Sequence, residues 1–184
     1  MRASASCGLG LGISRPSRLT WGALVLVAAA CSGCGASARR AEPLSAWLSF
    51  RPRAKTVTMR LLAAYNGAYG GFNFNGYGKG EVLVEIPKGW RVDVRCVNDA
   101  RRGRHSCAIV RGLSAIPAFD GASTSDARDG LPPGGSAAFS FSATTLGTYR
   151  IVCLVPGHEQ TGMWDVLEVA HRRLPAVVLL RRPP

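Results

Sequence analysis

From residue 56 onward, apolar and polar positions alternate in short runs separated by Gly, Asn, Pro and Asp. The runs cover 57–63, 81–86, 91–97, 105–110, 137–142, 149–153 and 164–169. Period-two alternation at this density, punctuated by turn residues, predicts an all-β sandwich or barrel. No long 3.6-residue period competes with it. The segment 115–133, rich in Gly, Asp and Ser, reads as a long connection across one end of the fold. Side chains two apart on a strand share a face. Val92, Val94 and Cys96 therefore share one face, and the charged residues between them the other. By the same parity His105 sides with Cys107 and Ile109, and Cys153 with Tyr149 and Ile151. Both His105 and Cys153 are expected to point into the space between two sheets.

The most informative stretch follows the 149–153 run. Pro156-Gly157 turns the chain, the strand pattern resumes at 164, and the intervening loop carries Cys153, His158 and Met163 in a C-x4-H-x4-M array. A triplet of this kind is often ordinary core packing. Here the spacing brings a thiolate, an imidazole and a thioether to one short loop, and the chain has only three histidines, of which His105 stands where a second imidazole is needed. Cys, two His and a weak axial Met is the donor set that copper prefers in blue-copper sites. The expected ligands are thus His105, Cys153, His158 and Met163. Leu154, Val155 and Pro156, with Trp164 behind Met163, would exclude water from the metal or simply pack the core.

The stretches 72–76 (FNFNG), 81–90 (EVLVEIPKGW) and 147–164 (GTYRIVCLVPGHEQTGMW) resemble the cupredoxin family, most closely its sulfocyanin and rusticyanin branch. The resemblance covers roughly residues 56–170. It implies a cupredoxin-like Greek-key β-sandwich holding one copper ion that cycles between Cu(II) and Cu(I). It implies a one-electron carrier, not an enzyme, working between respiratory redox partners such as a cytochrome or a terminal oxidase. Ser106 stands where this branch has Ser, so its hydroxyl or amide is a candidate hydrogen-bond donor to the Cys153 sulfur; a solvent-facing strand Ser is the alternative. The chain departs from the family pattern before His105, where Arg101, Arg102 and Arg104 crowd the sequence and the Pro common there is absent.

Other copper functions fit less well. Copper oxidases and nitrite reductases need further histidines, and only His171 remains. A binuclear copper domain needs a second Cys between Cys153 and His158, and 154–157 supplies none. A periplasmic copper-binding or copper-delivery protein is the surviving alternative, although Met1, Met59 and Met163 form no exposed cluster in the sequence.

The 184-residue length suits one domain with a substantial core. Arg2, Arg15 and Arg18 precede an apolar run, 21–30, that ends at Cys31, the layout of an export signal. A membrane-spanning helix needs about 20 apolar residues, so this run is too short. Residues 28–31 (AAAC) resemble a lipobox, with Cys31 lipidated; ordinary cleavage is the alternative, and Cys34 offers a second placement. The expected layout is a signal peptide over 1–30, a flexible tether over 31–55, the domain over 56–171 and a C-terminal tail over 172–184. This places the protein outside the cytoplasm, in the periplasm or at the cell surface, anchored to a membrane through lipid and monomeric. The net charge of +12 favours acidic protein partners or anionic surfaces. The Arg residues are scattered without interleaved aromatics, which argues against nucleic acid. In an oxidising compartment Cys96 and Cys107 either form a disulfide or remain two buried thiols. Electron exchange is expected at the His158 end, framed by Leu154, Val155, Pro156, Thr161 and Gly162.

Overall fold

The alternation read from the sequence becomes two mixed sheets facing one another across an apolar core. The structure, a computed structural model, describes residues 39–181. The expected signal peptide, Cys31, Cys34 and the first part of the expected tether lie outside the described residues. One sheet has the order β1 (Leu48–Arg51), β2 (Thr56–Ala63), β4 (Arg91–Asn98), β6 (Ser136–Ser142). The other has the order β5 (Ala108–Val110), β7 (Gly147–Val152), β8 (Trp164–Ala170), β3 (Val82–Pro87), β9 (Ala176–Leu179). The pairs β2–β4 and β3–β8 are parallel and the rest antiparallel.

Inward positions follow the expected parity. Val57, Met59 and Leu61 of β2, Val92 and Val94 of β4, and Leu167 and Val169 of β8 are all buried in one cluster. Burying an aliphatic side chain of this size stabilises by roughly 1.5–3 kcal/mol, so the cluster supplies the main driving force for folding. Cys96, on β4 of the first sheet, is disulfide-bonded to Cys107, which leads into β5 of the second. The disulfide alternative is therefore the one that the structure shows. Closing a loop of 11 residues of sequence separation in this way is worth roughly 2–4 kcal/mol, and it ties the two sheets together two residues from His105.

Two boundaries differ from the sequence reading. The tether over 31–55 does not hold for its second half: Trp47 is fully buried against Tyr77, with ring centroids 6.0 Å apart. Leu48–Arg51 also adds an edge strand to β2. Glu42 is buried too; its carboxylate accepts from Asn75 Nδ2 and from the Arg60 guanidinium, and its carbonyl accepts from the Tyr77 hydroxyl. Likewise the expected tail over 172–184 contributes β9, paired antiparallel with β3 from Val82↔Leu179 to Glu85↔Ala176. Both are edge strands, and neither shows the two-sided alternation that marks a central strand. The folded domain therefore exceeds the 56–171 expected. Among the described residues, no helix is long and apolar enough to cross a membrane.

Candidate metal centre

Strand register brings the four candidate ligands to one end of the sandwich. Ala108 of β5 pairs with Val152 of β7, and Val152 pairs with Trp164 of β8. One residue beyond that row, on the inward parity, stand Cys153 and Met163, with the Cys153 amide donating to the Met163 carbonyl at 3.2 Å. The expected strand over 105–110 is shorter than read, because its first three residues run past the end of β7. There His105 is held instead by a two-way backbone pairing with Leu131, N to O at 3.2 Å and O to N at 2.7 Å. That connection, 115–133, contributes no strand but supplies this prop.

The loop between β7 and β8 contains a single helical turn, α1 (His158–Thr161), entered at Gly157 (φ 87°) and left at Gly162 (φ 120°). Positive φ at both ends strongly favours glycine there. The turn is fastened by His158 N to Val155 O at 3.1 Å, by Met163 N to His158 O at 3.0 Å, and by an Arg150–Glu159 ion pair at 2.6 Å that ties α1 back to β7. Its consequence is local: His158 folds back over the loop, with Nδ1 3.4 Å from the Cys153 sulfur.

The ligand-type atoms of His105, Cys153 and His158 all lie within 4.8 Å of one another. Met163 Sδ is 3.2 Å from His105 Nδ1. Cys153 and Met163 are fully buried, His105 nearly so and His158 partly. Burial lowers the pKa of His105 to about 4, with the neighbouring His158 charge adding to the effect, and burial lowers that of His158 as well. At neutral pH both rings are then neutral, and the tautomer protonated on Nε2 leaves each Nδ1 lone pair directed into the cluster. Burial also raises the Cys153 thiol, opposed by hydrogen bonds from Ser106 and Val155. A cation captured here would displace that proton. Two imidazoles, a thiol and a thioether in a largely buried cluster suit a soft metal ion, so the residues fit copper.

Ser106 is fully buried, not solvent-facing. Its amide donates to Cys153 Sγ at 3.3 Å, and its hydroxyl lies 3.6 Å from the same sulfur while accepting from the Leu154 amide at 2.9 Å. Trp164 departs from expectation. It lies on the outer face of its sheet, packed with Ala108, Val110, Val152 and Leu154 under the Arg150 guanidinium, and not behind Met163. Parity is the reason, since Met163 points in and the next residue must point out. Phe72 takes the covering role instead, edge-on to His158 at 4.8 Å and to His105 at 6.2 Å between centroids. In the FNFNG stretch Phe74 enters the core, Asn73 and Asn75 are buried and hydrogen-bonded, and Phe72 is left facing the ligands. His171 is exposed and outside the site.

Leu154, Val155 and Pro156 border a cavity on the Cys153 side, together with Leu113 and Arg128. His105 and His158 border a separate one, between Gly70–Phe72 and Ala100–Gly103. The patch expected around His158 is thus divided between two faces.

The sulfocyanin (SoxE) domain family matches residues 43–175. Sulfocyanin of Sulfolobus acidocaldarius is 29% identical over 126 residues, 61% of this chain and 63% of that protein. Rusticyanin of Acidithiobacillus ferrooxidans is 29% identical over 102 residues, 53% of this chain and 54% of that protein. The chain thus spans less than two thirds of the length of these curated relatives. Among solved structures, dithionite-reduced auracyanin from the photosynthetic bacterium Roseiflexus castenholzii is similar at 23% identity and a TM-score of 0.46, covering 61% of this chain and 96% of that one.

Proposed function

The chain belongs to the sulfocyanin domain family, on the sulfocyanin and rusticyanin branch of the cupredoxins, and from that premise we propose that it is a mononuclear blue-copper carrier of single electrons between respiratory redox proteins. The observation that carries the reading is the convergence of His105, Cys153 and His158 within 4.8 Å, with Met163 beside them, in a buried pocket. Copper bound there would supply the redox change, one electron taken up and given back. The residues do the rest. Cys153, His105 and His158 would hold the ion, and Met163 would add a weaker thioether contact. Ser106 directs an amide and a hydroxyl at the sulfur, which drains charge from the thiolate and favours the reduced state. Phe72 and Val155 keep water out, and the Cys96–Cys107 bridge with the Leu131 prop keeps His105 in place. A site clamped from both sheets moves little between oxidation states, as fast electron exchange requires.

The test is voltammetry of the purified protein, which should give a single reversible one-electron wave and no catalytic current with oxygen or nitrite. Metal that dissociates on reduction would instead favour copper delivery. Two substitutions should tune the wave. Met163→Leu should keep copper and colour and raise the potential, because losing the thioether disfavours Cu(II) most. Ser106→Ala removes the hydroxyl contact, so the potential should fall, by at most the about 40 mV that a whole hydrogen bond of roughly 1 kcal/mol equals for one electron, again with the colour kept. We place the protein outside the cytoplasm, exported by residues 1–30 and anchored through lipidated Cys31, with the folded domain over 41–180 and the residues before it as the tether.

A further inference from the structure

The Arg-rich loop ahead of His105 is fastened at both ends by hydrogen bonds. Asn98 is fully buried, and its side-chain amide donates to the carbonyls of Gly103 at 3.0 Å and Leu131 at 2.9 Å while its oxygen accepts from the Ala100 amide at 3.1 Å. Gly103 turns the chain with φ 89°. Arg104 is pinned by donating to the carbonyls of Asp129 at 2.8 Å and Gly130 at 2.7 Å. Both ends of the loop are therefore fixed, and its tip displays Arg101 and Arg102 to solvent.

Neither arginine makes an ion pair or a side-chain hydrogen bond among the described residues. Arg39, Arg60, Arg91, Arg150 and Arg172 each have a carboxylate, and Asp99, the nearest acid in sequence, is taken by Arg39. Arg101 and Arg102 also border the cavity of about 300 Å³ into which the rings of His105 and His158 open. The opposite rim is Gly70-Gly71, which carries no side chains, and the space a Cβ at Gly71 would occupy is empty. Two guanidinium groups with no carboxylate partner among the described residues thus border the cavity into which both imidazoles open.

Resting on the electron-carrier reading above, we propose that the Arg101/Arg102 rim is the docking face for a redox protein that presents carboxylates around its own cofactor. Paired guanidinium groups recognise carboxylates with directional, charge-assisted hydrogen bonds. Fixed charge at the mouth of a cavity also raises the encounter rate with an oppositely charged partner, an effect that salt weakens. Each encounter would move one electron and no atom, given up at the copper that His105, Cys153, His158 and Met163 would hold and taken up by the acceptor, which is reduced by one electron. The face beside Leu154, Val155 and Pro156 then plays no part in this docking.

The experiment uses anionic probes on the purified protein and its Arg101→Gln/Arg102→Gln double variant. Hexacyanochromate(III), a redox-inert paramagnetic trianion, should broaden the NMR signals of 70–72 and 100–103 in metal-free and Cu(I) protein alike, and the double variant should lose that broadening. Oxidation of the Cu(I) protein by ferricyanide, which becomes ferrocyanide, should slow about tenfold at low salt in the double variant and depend less steeply on salt. Oxidation by cationic tris(phenanthroline)cobalt(III) should not slow, and Arg128→Gln should change neither rate. Broadening centred on Leu113 and Pro156, ferricyanide rates indifferent to the double substitution, or binding through these arginines to anionic lipid vesicles with no response to hexacyanochromate would each overturn the proposal. A protein without blue colour would sink the carrier reading and still leave the NMR result to be read. A blue protein whose anion response ignores both arginines would sink the docking face alone.

Discussion

Cys153→Ser is expected to abolish the visible charge-transfer band while leaving the sandwich folded. The side chain is fully buried, 3.4 Å from His158 Nδ1, and is the acceptor of the Ser106 amide. Serine fits the same space and still accepts that hydrogen bond, so the fold loses little. Its oxygen is a hard donor that stays protonated at neutral pH, and it cannot supply the low-energy sulfur electrons from which the colour of a copper–thiolate bond arises. Changes to outer-shell partners typically cost about 10–100-fold in metal affinity, and losing the thiolate itself should cost more. Absorption spectroscopy with added Cu(II), beside circular dichroism to confirm the fold, measures both halves. A Cys153→Ser protein that stays intensely coloured would remove Cys153 from the site.

The second large effect concerns a segment that reads as a tether. A chain beginning at Thr56 should fail to fold stably, whereas one beginning at Arg39 should unfold at nearly the same temperature as the full-length protein. Without residues 39–55 the core loses Trp47, and truncating a buried Trp alone costs roughly 3–5 kcal/mol. β2 also loses its edge partner and the Arg60 amide its bond to the Trp47 carbonyl at 2.9 Å. Asn75, buried with φ 54°, loses the Glu42 carboxylate to which its amide donates. Against a typical domain stability of about 5–15 kcal/mol, the sum is close to the whole. Urea or thermal unfolding of the two truncated chains decides it, and a cooperative, stable 56–184 chain would contradict the role given to Trp47.

What was legible and what was not divides along physical lines. Strands β2, β4 and β8 are covered by a sheet neighbour on each side and a core on one face, so their sequences alternate and announce themselves. β1 and β9 lie at edges, bury little beyond Leu48, Ala176 and Val177, and have nothing periodic to show. The ligand loop was legible because Cys153, His158 and Met163 are close in sequence. The pieces that complete the site come from far along the chain. Phe72 and Leu131 reach it only through register and turn geometry, which no local pattern encodes. Trp164 was misplaced by assuming that adjacency to Met163 meant contact, when strand parity sends neighbours to opposite faces. Asp165 shows the reverse case: parity turns a carboxyl inward, where it accepts from the Val82 amide at 3.0 Å and burial raises its pKa well above the usual range.

The central claim is that His105, Cys153, His158 and Met163 together make a blue-copper site. The most direct test is the visible spectrum of the purified protein titrated with Cu(II). An intense blue thiolate-to-copper band that grows linearly and saturates at one copper per chain is the expected result. A pale solution at saturation, with copper bound but no strong visible band, would contradict it.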